Sequence, residues 1–342
     1  MTGNFLGERF VVASFGESHG RCIGALVDGC PAGLSLQEGD IQRELDLRKP
    51  GQSEVTTTRA EADRVEILSG VFEDWTTGAP ICLVIWNRDV DSTPYLRFRS
   101  TPRPGHADYT ARVKYGGFND WRGGGRFSGR TTATYVMVGA IAKKLLSTAL
   151  GVEILAYTSQ IGEISCEPPT VEEVRRGKYS NVVRCPDQGA AERMRELVLQ
   201  LREEGDSVGG VVTCVALNVP VGLGEPVFSR LNADLSRGLY SIPAVRGVEF
   251  GAGFSSAQMR GSASNDPFTL IGEDLGTETN QAGGVLGGLS SGMPLELRVV
   301  FKPPSSISLP QRSVDVESGE EVQLRVKGRH DPVIVPRAVP VV

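Results

Sequence analysis

The sequence predicts an α+β fold organised as a single integrated domain over residues 1–342. Seven strand-like apolar runs are spread along the chain against only three helical stretches. The two kinds do not alternate regularly, which argues against a doubly wound parallel sheet and for a layered α+β arrangement. No low-complexity linker divides the chain. Its length admits one large domain or two of ordinary size.

In chain order, FVVASF (10–15) and CIGALVDG (22–29) read as strands from their β-branched and apolar content. EGDIQRELDL (38–47) reads as a helix, with Ser35 three residues before Glu38 in the spacing of a capping box. APICLVIW (79–86) is the next strand. TTATYVMVGAIAKKLLSTAL (131–150) is the second helix, followed by the strand VEILAYTSQIGEI (152–164). AAERMRELVLQLREEG (190–205) is the third helix. GGVVTCVALNV (209–219), LELRVVF (295–301) and EVQLRV (321–326) complete the strands. GALVDGCPAGLSLQEGDIQREL (24–45) echoes CVALNVPVGLGEPVFSRLNADL (214–235), each running strand, Pro, Gly-Leu, helix. The echo suggests two similar halves about a pseudo-twofold axis, with chance similarity as the other reading.

Composition narrows the function classes. A net charge of −5 gives no global attraction to nucleic acid or an anionic membrane. No uninterrupted apolar run reaches the roughly 18 residues of a membrane span. MTGNFLGERF lacks the pattern of a secretory signal. The six cysteines form no CxxC and no metal-like cluster, which fits free thiols in a cytoplasmic protein without a metal. Glycine is the outlier at 42 residues, and its clustering points to shaped loops.

Residues 97–130 carry the strongest chemical signal. RFRSTPRPGHADYTARVKYGGFNDWRGGGRFSGR holds seven Arg, one Lys and two Asp, with seven glycines interleaved. Guanidinium forks and glycine-exposed N–H groups there can converge on carboxylates or phosphates, whereas a basic run without glycine is usually a solvated face. The segment leads into the helix starting near Thr131, whose N-terminus favours anions. All three histidines lie in polar, turn-like motifs: His19 in GESHG, His106 in PGHAD and His330 in GRHDP. Placed beside Glu17, Asp108 and Asp331, they read as acid–base equipment; GESHG taken alone reads first as a solvated turn. QAGGVLGGLSSG (281–292), with KPPSS (302–306) after it, reads as a tight hairpin or a phosphate loop, but matches neither a Walker loop nor a dinucleotide fingerprint.

Together GESHG, VDGCP, RKPG, RPGHAD, RGGGRFSGR, AGGVLGGLSSG, KPPSS, GRHDP and RAVP resemble, in order, the motifs of the chorismate synthase family over essentially the whole chain. The resemblance implies a β-α-β sandwich, a homotetramer, and conversion of 5-enolpyruvylshikimate 3-phosphate to chorismate and phosphate by anti-1,4-elimination. It also implies dependence on reduced FMN without net redox change, in an NADP-linked setting. The chain shows no inserted flavin-reductase segment, so an external flavin reductant is expected.

By the same resemblance His19 donates a proton to the departing phosphate, and His106 protonates or hydrogen-bonds the flavin. Asp331 works with the flavin in removing the C6 proton. Ser18, Arg48, Arg103, Ser128, Arg130 and Arg329 are expected to hold the substrate. Arg126, Phe127, Ser128, Pro243, Ala244 and Gly287 are expected at the flavin. Lys302, Pro303, Pro304, Ser305, Ser306 and Arg329 complete that set. Three departures stand out: Glu54 where the family often has an arginine, with Arg59 nearby; Phe127 in RFSGR where the family reads RSSAR; and an end at Val342, where relatives usually continue into a last helix. A flavin-independent phosphate lyase or phosphatase, or a non-catalytic polyanion-binding module, would share the Arg–His features without needing the glycine loops or the histidines, respectively.

Overall fold

The computed structural model describes residues 3–49, 63–88, 90–326 and 331–342. The α+β expectation holds: every strand pair in the two five-stranded sheets is antiparallel. Contacts divide the chain into two compact units. The first comprises the residues up to Ile141 with Arg195–Val208 and Pro303–Val341; the second comprises Ala142–Met194 with Gly209–Lys302 and the last residue.

In the first unit the sheet is centred on Cys22–Asp28, flanked by Val11–Gly16 and Ile81–Trp86, with Phe5–Leu6 and Val65–Ser69 at the edges. Ile23, Ala25 and Val27 alternate along the central strand and pair with Ile85, Leu83 and Ile81. All six are buried. The period of two thus builds one apolar face. The helix Glu38–Arg48 buries Ile41, Leu45 and Arg48, positions i, i+4 and i+7 of one stripe. Its third buried position is therefore a guanidinium. The helix start differs from the expected cap: the Asp40 carboxylate accepts from the Gln37 N–H at 2.9 Å. Ser35 instead forms a bridge to Trp75, and Glu38 accepts from the Ile67 N–H at 3.0 Å.

In the second unit Leu295–Phe301 lies beside Gly210–Leu217, with Glu153–Ile161 on the far side of the latter. Leu295, Leu297, Val299 and Phe301 are buried in strict alternation and face Ala216, Cys214, Val212 and Gly210.

The two units repeat one local design. In the first, the Thr76 hydroxyl donates to Pro31 O (2.6 Å) and accepts from the Leu34 N–H (2.9 Å). In the second, the Ser290 hydroxyl donates to Pro220 O (2.5 Å) and accepts from the Leu223 N–H (2.8 Å). Gly33 N–H to Thr76 O matches Gly222 N–H to Ser290 O, both 2.9 Å. Leu36 N–H to Asp74 O matches Leu231 N–H to Gly288 O, both 2.8 Å. Each unit carries a two-residue hairpin turn with both central φ values positive, Glu73–Asp74 in one and Gly287–Gly288 in the other. The faint sequence echo is thus an internal structural repeat.

The helix Thr132–Leu150, with the turn before it, matches a membrane span by length and composition only, its apolar run being broken by Lys143 and Lys144. Eight of its first ten residues are buried in the protein, as in a core helix.

Candidate active site

GESHG closes the turn between the first two long strands. The Asn87 side-chain amide donates to Glu17 O (3.1 Å) and Gly20 O (2.9 Å), bracketing the turn from the end of the neighbouring strand. Ser18 and His19 are buried as a result. His19 Nδ1 lies 3.0 Å from the Ser92 hydroxyl, and the Tyr95 ring meets the imidazole edge-on with centroids 5.1 Å apart.

Residues Arg122–Phe127 supply the opposite wall. Gly123, Gly124 and Gly125 all have positive φ, a run that L side chains resist. A Cβ on Gly123 would collide with the His19 imidazole, and one on Gly124 would sit 3.4 Å from His106 Cε1 and Nε2. Adjacent glycines thereby let both imidazoles approach one backbone segment. The Ser18 N–H completes the contact at 3.3 Å from Gly125 O. A cleft of about 250 Å3 opens beside them, lined among others by Phe98, His106, Trp121, Gly124 and Phe127.

Around this pair lie two buried ionic groups. Asp108 accepts from Arg103 Nε and Nη2, both at 2.8 Å, and sits 2.6 Å from His106 Nδ1. Burial opposes ionisation of Asp108, but the hydrogen bonds from Arg103 and His106 outweigh it and hold the carboxyl well below its usual range. Arg103 also packs 4.5 Å over the Phe98 ring and reaches the Ser306 hydroxyl at 3.3 Å. Ser305 of the same loop donates to Gly105 O.

Asp63 forms the second group. Its side chain is fully enclosed and bonds Arg130 Nη1 at 2.7 Å and Arg48 Nη1 at 3.2 Å. Arg48 donates further to Thr132 Oγ1 and Gly129 O, and Arg130 to Asn87 Oδ1 at 2.7 Å. The chain Asp63–Arg130–Asn87 therefore runs directly to the turn holding His19. Ser128 caps the short turn before the long helix by accepting from the Arg130 N–H.

Of the expected site residues, Ser18, His19, Arg48, Arg103, His106, Ser128 and Arg130 share this network in the first unit. Arg126 lies there too, but its guanidinium ties down Ser14 O, Gly16 O and Asn4 Oδ1. Phe127 is half-exposed and tilts against Tyr115. Asp331 pairs with Arg337 of the terminal helical turn. Pro303 and Pro304 precede the serines of the loop, and Pro304 O accepts from the Ser207 hydroxyl at 2.7 Å. Pro243, Ala244, Gly287 and Lys302 belong to the second unit, where Lys302 N–H donates to Ala244 O at 3.0 Å. Burial, with Arg246 nearby, lowers the Lys302 ammonium pKa. Glu54, Arg59, Arg329 and His330 lie outside the described residues. Sequence reasoning missed Asp63, Asn87, Ser92 and Tyr95 as parts of the site; it set His106 beside Asp108, as the structure has them, but did not pair Asp108 with Arg103. Only the RPGHAD spacing carried a signal, for Asp108.

The family model described as "Chorismate synthase" matches residues 10–342. A chorismate synthase of Dehalococcoides mccartyi is 54% identical over 339 residues, covering 99% of this chain and 93% of the relative. One of Korarchaeum cryptofilum is 53% identical over 342 residues, covering 100% of this chain and 94% of the relative. A chorismate synthase crystal structure superposes with a TM-score of 0.74 at 30% identity, covering 96% of this chain and 86% of the solved one.

Proposed function

The chain belongs to the chorismate synthase family, an enzyme family of chorismate-forming lyases in the shikimate pathway, and from that premise we propose how its residues divide the work. The substrate, 5-enolpyruvylshikimate 3-phosphate, loses phosphate from C3 and a proton from C6 in an anti-1,4-elimination. Arg48, Arg103 and Arg130, with Ser18, Ser128 and Arg329, hold its phosphate and carboxylates. His19 is the acid that protonates the departing phosphate, its ring oriented by Ser92 and Tyr95. His106, fixed by Asp108, donates toward the flavin. Asp331 carries away the C6 proton.

Reduced FMN, when bound, supplies the electron-rich ring that makes loss of the weakly acidic C6 hydrogen feasible without net redox change. Two features fit such a group. Aromatic walls and His106 line the cleft beside Gly124. A Cβ on Gly287 would meet nothing within 4 Å, although its counterpart in the repeat, Glu73, carries a side chain at a similarly positive φ. Glycine suits that left-handed backbone, and the open space above it leaves room for a closely approaching ligand. Arg126, Phe127, Pro243, Ala244, Lys302 and the loop Pro303–Ser306 complete the proposed flavin set.

An external NADP-linked reductant and a cytoplasmic location belong to the same reading, as does a homotetramer. The hairpin Phe268–Ile271/Asp274–Thr277 leaves Phe268, Leu270, Ile271 and Leu275 more than half exposed. A two-stranded hairpin is marginal alone, and another copy would cover this apolar surface.

The observation carrying the assignment of roles is the seating of two imidazoles on adjacent glycines beside two buried arginine–carboxylate groups. Asp331→Asn should keep FMN and substrate binding while turnover falls at least about a hundredfold, the scale of a positioned base. Unchanged turnover, or lost binding in a folded variant, would contradict the role given to Asp331.

A further inference from the structure

We infer that the proton of His19 enters and leaves through Nδ1 and the Ser92 hydroxyl, so that Ser92 acts through His19 as its proton relay. The inference rests on His19 being the acid of the proposed elimination, a role in which the imidazole must regain a proton after every turnover.

The two ring nitrogens sit in opposite surroundings. Nε2 is enclosed by the described residues. The glycine run supplies part of that cover: a Cβ on Gly123 would lie 2.5 Å from Nε2 and 2.2 Å from Cδ2. The Gly123 backbone therefore packs directly on this edge of the ring, in space that any side chain would occupy. Nδ1 meets the Ser92 hydroxyl at 3.0 Å. His19 is 4% exposed, whereas Ser92 is partly exposed. The hydroxyl thus stands between the buried imidazole and the outside.

Local structure holds this contact in place. Ser92 immediately precedes the short helical turn Thr93–Arg99. Its carbonyl accepts from the Tyr95 N–H at 3.0 Å, and Asp91 Oδ1 accepts from the Thr93 N–H at 3.0 Å. The Tyr95 ring, edge-on to the imidazole, also meets the Phe98 ring with centroids 5.9 Å apart. Phe98 is buried with Leu324 and Val326. Tyr95 therefore fixes the serine through its backbone and the imidazole through its ring.

A hydroxyl suits this task because one oxygen both donates a proton and accepts another. In the forward step the Nδ1–H bond of the imidazolium breaks and its proton joins Ser92 Oγ. The hydroxyl's own proton passes on to its acceptor, in turnover the departing phosphate. The ring loses its positive charge, the phosphate gains one proton, and Ser92 ends as a hydroxyl again. Nε2 keeps its proton throughout. A proton from water then returns through Ser92 to Nδ1, and no electrons are exchanged with another group.

The test uses the full-length protein with isotope-labelled histidine, the His19 signals being assigned by their loss in His19→Gln. Ser92→Thr keeps the hydroxyl, and Ser92→Val has nearly the same shape without it. NMR exchange of the His19 ring protons with water should slow at least about tenfold in Ser92→Val and stay near the wild-type rate in Ser92→Thr. In the chorismate-forming assay, kcat should fall in Ser92→Val with KM unchanged, and Ser92→Thr should recover it. Equal exchange in the two variants, or a kcat loss that threonine does not relieve, would overturn the inference. The wild type decides the matter even where a branched residue at 92 disturbs the fold. Its neutral His19 should carry the proton on Nε2 with Nδ1 accepting, and the opposite tautomer would overturn the relay. The NMR measurements need no turnover. A wild type with the expected tautomer and exchange that forms no chorismate would support the proton path while refuting the proposed elimination.

Discussion

Asp63 shows how one buried carboxylate can organise two cations. A substrate with three anionic groups makes simple charge counting predict tighter binding once Asp63 is neutralised. The geometry predicts the reverse, because Arg130 reaches Asn87 and the His19 turn while held by Asp63. Asp63→Asn should raise the substrate KM at least about tenfold and lower stability by about 3–5 kcal/mol, the scale for breaking a buried pair. Calorimetric titration showing tighter substrate binding by the folded variant would reject the positioning role. Asp108 makes a different prediction, in pH. Its carboxyl pKa is lower in the folded than in the unfolded state, so its stabilisation is complete above an unfolded value near 4 and is lost as pH falls below that toward the folded value. In urea unfolding, Asp108→Asn should therefore cost most stability at neutral pH, with the deficit shrinking below about pH 4. A deficit independent of pH would show that the carboxylate's ionisation is irrelevant.

Elements differ in how clearly their sequences announce them. Leu295–Phe301 was legible to the residue, because buried and exposed positions alternate without exception. The helix Glu38–Arg48 was legible in extent, but its cap was not, since Glu38 turns to a strand N–H and Asp40 does the capping. Asp63 and Asn87 were illegible as site residues because their partners lie far along the chain: Asp63 is separated by 15 and 67 residues from its arginines. No local spacing encodes such pairings. The His and Arg motifs were legible because glycines and charges concentrate where backbone and ligand must approach. The repeat lies between these extremes, since its residues changed while its hydrogen bonds persisted. Thr76→Val should leave the Leu34 N–H and Pro31 carbonyl without their hydroxyl partner, and Ser290→Ala should do the same to Leu223 and Pro220. Each should lose about 1–3 kcal/mol, the cost of unsatisfied buried groups. A loss in one unit but not the other, measured by denaturant unfolding, would mean that the shared pattern is not a shared stabilising device.

At the scale of the whole molecule, a chain of net charge −5 concentrates arginine around two histidines, and the surplus is partly neutralised by Asp63 and Asp108. That distribution suits a trianionic substrate better than a nucleic acid, which would call for a broad basic surface. In the proposed function, this site eliminates phosphate with reduced FMN acting catalytically. The most direct measurement is an anaerobic assay in which FMN, fully reduced beforehand, is present far below the substrate, with chorismate and flavin absorbance followed together. Many chorismates should form per flavin, with the flavin still reduced at the end and no product from oxidised FMN. One flavin oxidised per chorismate, or steady product formation with oxidised FMN under air, would contradict it.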